Sequence, residues 1–223
     1  MMLPLLAAGC VNAAVQATGG GSAPATPALS ASACPSAGAL GSRYAAPIPA
    51  SGALDQGLFD AAVLHHTNVA RCARGLGPLA ADPALLRAAR VHSGDMVARG
   101  FFAHSSPVAG RRTLEARLKG ENARFRRAAE NIAYRSRLQV VSGRPFYVID
   151  RGRCLFSYQQ GGEPVAAHTY DSMAERFVDL WAASPQHSRN LFNPAYRRLG
   201  SGAAFDPDTD TCGDVYATQN FAA

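Results

Sequence analysis

Two histidines and one glutamate, far apart in a chain of 223 residues, carry the chemistry most worth following. His104 stands in Phe101-Phe102-Ala103-His104-Ser105-Ser106-Pro107 and Glu130 in Ala129-Glu130-Asn131-Ile132-Ala133. His187 stands in Trp181-Ala182-Ala183-Ser184-Pro185-Gln186-His187-Ser188-Arg189-Asn190. Two neutral imidazoles and a carboxylate suit a divalent cation, zinc above all, with a position left for water. An ion would acidify that water, and Glu130 could instead act as its general base. The same side chains serve equally well in a hydrogen-bond network completed by Asn131, Ser184 and Asn190. Either reading requires the fold to bring three distant segments together.

The elements that must do so are marked unevenly. A long helix is expected between Leu54 and Gly75, with Leu54, Leu58, Ala61 and Ala62 on one stripe and Gly75 as its stop. The next helix is punctuated at both ends, by Asp82-Pro83 at its start and Gly100 at its finish. It places Leu85, Ala89, His92 and Met96 on one face, so His92 reads as a hydrogen-bonded core histidine. His65 and His66 are adjacent, point in different directions and cannot chelate together. Thr113 can cap a short helix carrying Leu114 and Leu118. Ser172 and Glu175 suggest a capping box for a fourth helix with Met173, Phe177, Leu180 and Trp181 inside, ended by Pro185. Strands are expected at 138–141, 145–149, 154–158, 200–205 and 215–221. Helices and strands mix without βαβ repeats, which indicates an α+β layered domain.

Hydrophobic residues make up 48% of the chain and charged ones 17%, enough apolar content for one packed core. The net charge of +6 is almost wholly arginine, because Lys119 is the sole lysine. The densest basic stretch, 111–127, is broken by Glu115 and Glu121 and lacks interleaved aromatics. It reads as a solvated face, and no nucleic-acid partner is expected. Neither a GxSxG elbow, an HExxH helix nor a phosphate-cradling loop is present.

Residues 1–10 end in Leu-Leu-Ala-Ala-Gly-Cys and read as a truncated bacterial lipoprotein signal with Cys10 as the lipidated residue, although no Lys or Arg precedes the apolar run. Residues 11–53, rich in Ala, Gly, Ser and Pro, read as a flexible tether, so the folded domain would span 54–223. Lipid is then the only expected membrane attachment. Cys34, Cys72, Cys154 and Cys212 remain, an even number that suits an oxidising compartment. Of the three possible connectivities, Cys34 with Cys72 would pin the tether and Cys154 with Cys212 would join two late segments, and this pairing is preferred.

Six ordered segments resemble the CAP superfamily, also called the SCP domain, in its bacterial secreted branch. They are Asn68-Val69-Ala70-Arg71 with Gly75-Leu76-Gly77-Pro78-Leu79, the three segments above, Gly200-Ser201-Gly202 and Thr218-Gln219-Asn220-Phe221. The resemblance implies an α-β-α sandwich with a central antiparallel sheet and a large cleft. It implies a cleft that can bind a divalent cation through two histidines and two glutamates, of which His104, Glu130 and His187 match three. Ser184 replaces the fourth. Residues 135–170 exceed the compact family pattern and are expected to add a hairpin, in which His168 has a structural role. The function implied is that of an exported monomer of the cell envelope, in the periplasm, on the outer membrane or secreted. Its cleft would take an apolar small molecule, a glycan or an envelope protein without catalysis. The alternative is a metal-dependent, peptidase-like hydrolase using the same cleft.

Overall fold

The computed structural model describes residues 13–16, 33–38, 40–50 and 53–223. Residues 1–10, with the signal and lipidated Cys10 read from them, lie outside the described residues.

Helix α1 (Gln56–Cys72) starts where Asp55 accepts the Leu58 amide at 3.0 Å. Strand β2 (Ala80–Ala81) leads into α2 (Pro83–Arg99), capped by the Asp82 carboxylate and closed by left-handed Gly100, as the punctuation predicts. Helix α3 (Leu114–Gly120) is capped by Thr113. Strand β3 (Arg127–Ser136) has no counterpart among the expected elements. It is buried on both faces from Ala128 to Ala133, so it lacks the alternation that betrays a half-buried strand. The expected insertion forms a two-stranded ribbon of β4 (Tyr147–Asp150) and β5 (Leu155–Ser157). No strand forms at 138–141, where Leu138 makes only an isolated bridge to Ala167 and Val141 is exposed.

Helix α4 (Tyr170–Ala183) begins earlier than Ser172 and Glu175 suggest, because the capping box pairs Thr169 with Ser172. Tyr170 is buried and its hydroxyl accepts the Asp55 amide at 2.7 Å, which ties the start of α4 to the start of α1. Pro185 follows the end of α4 as expected, but it also opens α5 (Pro185–Leu191), where a missing amide is harmless. Strands β6 (Arg198–Asp206) and β7 (Asp214–Ala222) complete the main sheet.

That sheet has the order β1-β3-β7-β6-β2, with β1 at Ala13–Gln16. All neighbours are antiparallel except the short edge pair β2 and β6. Helix α2 covers β6 and β7, while α1 packs with α4 and also touches β6. The result is an α-β-α sandwich of the α+β class. The larger apolar cluster joins Phe59, Val63, Phe177 and Trp181 from the helices to Leu199, Val215, Ala217 and Phe221 from the sheet. Within it Phe177 stacks on Trp181 with ring centroids 5.5 Å apart.

Parts of the expected tether are docked. Strand β1 pairs with β3, Tyr44 and Ile48 join the core, and the Ile48 amide donates to the His168 carbonyl at 2.7 Å. The folded unit therefore begins well before Leu54. Cys34–Cys72 anchors this region to the last residue of α1, and Cys154–Cys212 staples the ribbon to the β6–β7 loop, both as preferred from the sequence.

The segment around Asn68 proves to be scaffolding. The Asn68 amide group both donates to the Leu79 carbonyl at 2.9 Å and accepts the Leu79 amide at 2.8 Å. Arg71 is buried and donates to the carbonyls of Gly77, Leu191 and Asn193, which fixes the chain after α1 and the end of α5 together.

Asp60, on α1, accepts the Ser201 amide at 2.6 Å and so clamps α1 to β6. Burial pushes its carboxyl up to about 7, against the opposing pull of the Ser201 hydrogen bond and Arg90. The folded state therefore holds a proton that the unfolded state releases above the ordinary value of 3.8. This contribution to stability is fully present below that value and is lost as pH rises through about 7. Asp60→Asn, which keeps an acceptor, should raise the unfolding free energy on the order of 3 kcal/mol in mildly alkaline buffer. Urea titrations at several pH values should show the gain fading as pH falls towards 4.

Candidate functional site

The fold gathers His104, Glu130 and His187 from the loop after α2, the middle of β3 and the first turn of α5. Proline at the start of α5 brings His187 inward within one turn, and the side chain is wholly buried. Glu130 is also 0% exposed. His104 Nδ1 lies 2.8 Å from Glu130 Oε1 and donates to it, because an ionised carboxylate only accepts.

A fourth residue, Arg117 of α3, dominates the site. Its Nη2 donates to both Glu130 oxygens, at 2.9 and 2.7 Å, and its Nη1 donates to the carbonyls of His104 and Arg111. Arg117 is 2% exposed, so this member of the basic stretch is not part of a solvated face. The signal was available: Leu114, Arg117 and Leu118 stand at i, i+3 and i+4, on one helix face. His92, from α2, donates through Nε2 to the Ala103 carbonyl at 3.0 Å and approaches Glu130 Oε1 to 3.7 Å. It is thus the hydrogen-bonded core histidine expected, and it also borders the cluster.

Burial by itself would push the Glu130 carboxyl up, but His92, the His104 hydrogen bond and Arg117 outweigh it and bring it down to about 2. Burial lowers His92 to about 4, with Glu130 pulling the other way. His187 is also lowered to about 4, by burial and then by repulsion from His104. At neutral pH the centre therefore contains a carboxylate neutralised by a guanidinium, with His92 and His187 uncharged.

The proposed zinc trio does not fit this arrangement. Both carboxylate oxygens accept from Arg117, and one also from His104, so an ion at Glu130 would have to share a carboxylate already neutralised by a buried guanidinium. Among the described residues no group of three or more His, Cys, Asp or Glu side chains is placed to hold a metal. His187 differs from the other two, because among the described residues neither of its ring nitrogens has a hydrogen-bond partner.

The expected supporting amides do knit the site across the sheet. Asn190 donates to the Glu130 carbonyl at 3.3 Å and to Asn131 Oδ1 at 2.9 Å, while Asn131 donates to the His187 carbonyl at 3.3 Å and to Gln219. Ser184 enters through its carbonyl, which accepts the Ser188 amide; its side chain makes no cap hydrogen bond. His168 bonds Ser172 at 3.0 Å, a structural role. His66 bonds Asp171 at 2.7 Å and joins α1 to α4.

Period-two alternation puts Ile132 and Tyr134 on the same face of β3 as Glu130. Tyr134 stacks on Tyr216 at 5.2 Å, and Phe102 meets both rings edge-on. A groove of ≈ 410 Å³ lined by Arg99, Pro107, Val108 and Ala109 borders the loop that carries His104. A second, of ≈ 480 Å³, lies on the ribbon, and neither is lined by His104, Glu130 or His187.

The sequence profile of the cysteine-rich secretory protein family, CAP, matches residues 64–221. The uncharacterized protein YkwD of Bacillus subtilis is 26% identical over 144 residues, which cover 65% of this chain and 42% of that protein. An extracellular protein of Bacillus anthracis containing an SCP domain superposes with a TM-score of 0.50 and 26% identity, over 77% of this chain and 45% of its own. An outer surface protein of Borrelia burgdorferi superposes with a TM-score of 0.45 and 14% identity, over 75% of this chain and 90% of its own. The chain thus spans less than half the length of the two Bacillus proteins.

Proposed function

Since the chain belongs to the cysteine-rich secretory protein family, CAP, we propose that it is an exported bacterial envelope domain that binds an apolar small molecule bearing one polar group. Two disulfides suit an oxidising compartment, and the Bacillus anthracis protein is described as extracellular. Lipidation at Cys10 belongs to this proposal, and mass spectrometry of the membrane fraction tests it. Among the described residues no helix is long and apolar enough to cross a membrane.

The observation that carries the reading is His187. An uncharged, fully buried imidazole with both nitrogens unpartnered is an expensive arrangement unless a ligand completes it. A hydroxyl or carboxyl group would do so, with apolar surface supplied by side chains such as Ile132. The hydrolase alternative needs Glu130 as base or ligand, and the hydrogen bonds from Arg117 and His104 leave that carboxylate weakly basic and largely engaged.

The test pairs a fluorescent fatty acid with zinc calorimetry on wild type, His104→Ala and His187→Ala. Fatty-acid affinity should fall about tenfold in His187→Ala, the loss of one buried hydrogen bond, while the zinc heats should be alike in all three proteins. Saturable zinc binding abolished by both substitutions, with zinc-dependent peptide cleavage, would instead establish the hydrolase.

A further inference from the structure

Strand β1 is four residues long and pairs with β3 on the edge of the main sheet. Its register sets Ala13 opposite Glu130, Ala14 opposite Ala129, Val15 opposite Ala128 and Gln16 opposite Arg127. Residues 17–32 separate it in sequence from the segment that Cys34–Cys72 fastens to α1. Strand β1 is thus a short segment joined to the domain through a long connection, and a ladder of this length holds it only weakly. The covalent link compensates by keeping its local concentration roughly millimolar.

Beneath β1 lies an edge that accepts extended chain. The Arg127 carbonyl accepts the Ala223 amide just past the end of β7, so alternation turns the backbone groups of Ala128 and Glu130 towards β1. If β1 left, these groups would form a bare strand edge, which recruits another strand. The segment seated there, Ala13-Ala14-Val15-Gln16, shows that the edge takes small, uncharged residues.

The charges at one end of this edge identify what would bind better than β1. Arg124, Arg126 and Arg127 are exposed, and among the described residues none of them forms an ion pair. In the register of β1, a strand continuing past the position of Gln16 passes Arg126 and then Arg124. The chain's own sequence supplies Ala17, Thr18 and Gly19 after Gln16 and contains no acidic residue before Asp55. The resident segment therefore meets the demands of the ladder and leaves the arginines uncompensated.

We propose that the outer edge of β3 is a binding site for an extended peptide, which adds as an antiparallel strand with small residues along Ala128–Glu130 and acidic residues after them, and that β1 is its tethered, displaceable occupant. The site uses the backbone of Glu130 and not its carboxylate, so it does not rest on the ligand reading of His187.

Fluorescence anisotropy with a labelled peptide, Ala-Ala-Val-Gln-Asp-Asp, tests this on the full chain and on Val15→Pro, whose proline lacks the amide that faces Ala128. The peptide should bind Val15→Pro at least about tenfold more tightly than wild type, because its intramolecular competitor is weakened. Adding Arg127→Glu to Val15→Pro should weaken binding about threefold or more, with a larger effect at low salt than at high salt. Arg127 is exposed, so Arg127→Glu alone should leave thermal melting unchanged. A control peptide, Ala-Ala-Pro-Gln-Asp-Asp, has the same charge but cannot complete the ladder, and it should not bind. Equal binding of the two peptides would reveal a purely electrostatic contact and overturn the proposal, as would equal affinity of wild type and Val15→Pro for the first peptide, or none in either. A Val15→Pro protein that no longer melts cooperatively would show β1 to be an integral strand, which also overturns it.

Discussion

Replacing Arg117 with methionine is expected to destabilise the protein by about 3–5 kcal/mol, the usual consequence of removing one partner from a buried ion pair. Glu130 would remain 0% exposed with only histidine partners nearby. Its carboxyl would rise from about 2 and take up a proton, which caps the loss. Arg117 also holds the loop through the carbonyls of His104, Arg111 and Arg112, and methionine would leave those acceptors to water or unsatisfied. Arg117→Lys should recover only part of the loss, because one ammonium cannot serve the Glu130 carboxylate and also reach the loop carbonyls that Nη1 holds. The double variant Arg117→Met with Glu130→Gln should be more stable than Arg117→Met alone. Urea unfolding of the four proteins measures this, and a double variant no better than Arg117→Met would show that loop anchoring, not charge pairing, sets the energy.

Gly202→Ala should lose more than about 3 kcal/mol, beyond the ordinary overpacking range. A methyl group at Gly202 would sit 2.3 Å from the Arg90 amide nitrogen, and one at Gly200 2.1 Å from that of Leu86. These are backbone atoms of α2, so no side-chain rotation relieves the clash and the helix must lift from the sheet. Lifting it also breaks the Ser93 hydrogen bonds to the Gly202 carbonyl at 3.0 Å and to Thr218 at 2.9 Å. Gly94→Ala, in the same helix but with nothing within 4 Å of the added carbon, should instead gain about 0.5–1 kcal/mol. Opposite signs from two identical substitutions, read by chemical denaturation, would confirm the close approach of α2 and β6. A mild effect at Gly202 would contradict it.

Legibility in the sequence followed how local the signals are. Helix α2 is punctuated by Asp82, Pro83 and Gly100, three residues whose conformational preferences need no tertiary context. The ordered motifs supplied the sandwich, in which His104 meets Glu130 at 2.8 Å. Strand β3 was missed because a doubly covered central strand has no polar face, and Ala, Glu and Asn are weak strand formers. Helix α5 was missed because Pro185 was read only as a stop and not as a first residue. The docking of Tyr44 and Ile48 was hidden by the Ala, Gly, Ser and Pro around them, since two anchors suffice once a groove exists to receive them. The metal reading rested on three residue types. Arg117 stays hidden in the sequence because the average of a basic stretch conceals the helix face each arginine occupies.

Strand β7 lies between β3 and β6, although it follows both in sequence. The two halves of the sheet therefore have no hydrogen bonds to each other until residues 214–222 arrive. A nascent chain long enough to contain the whole cleft would still lack the strand that unites it. Such an order of assembly delays stable folding of the sheet until this last region has been synthesised.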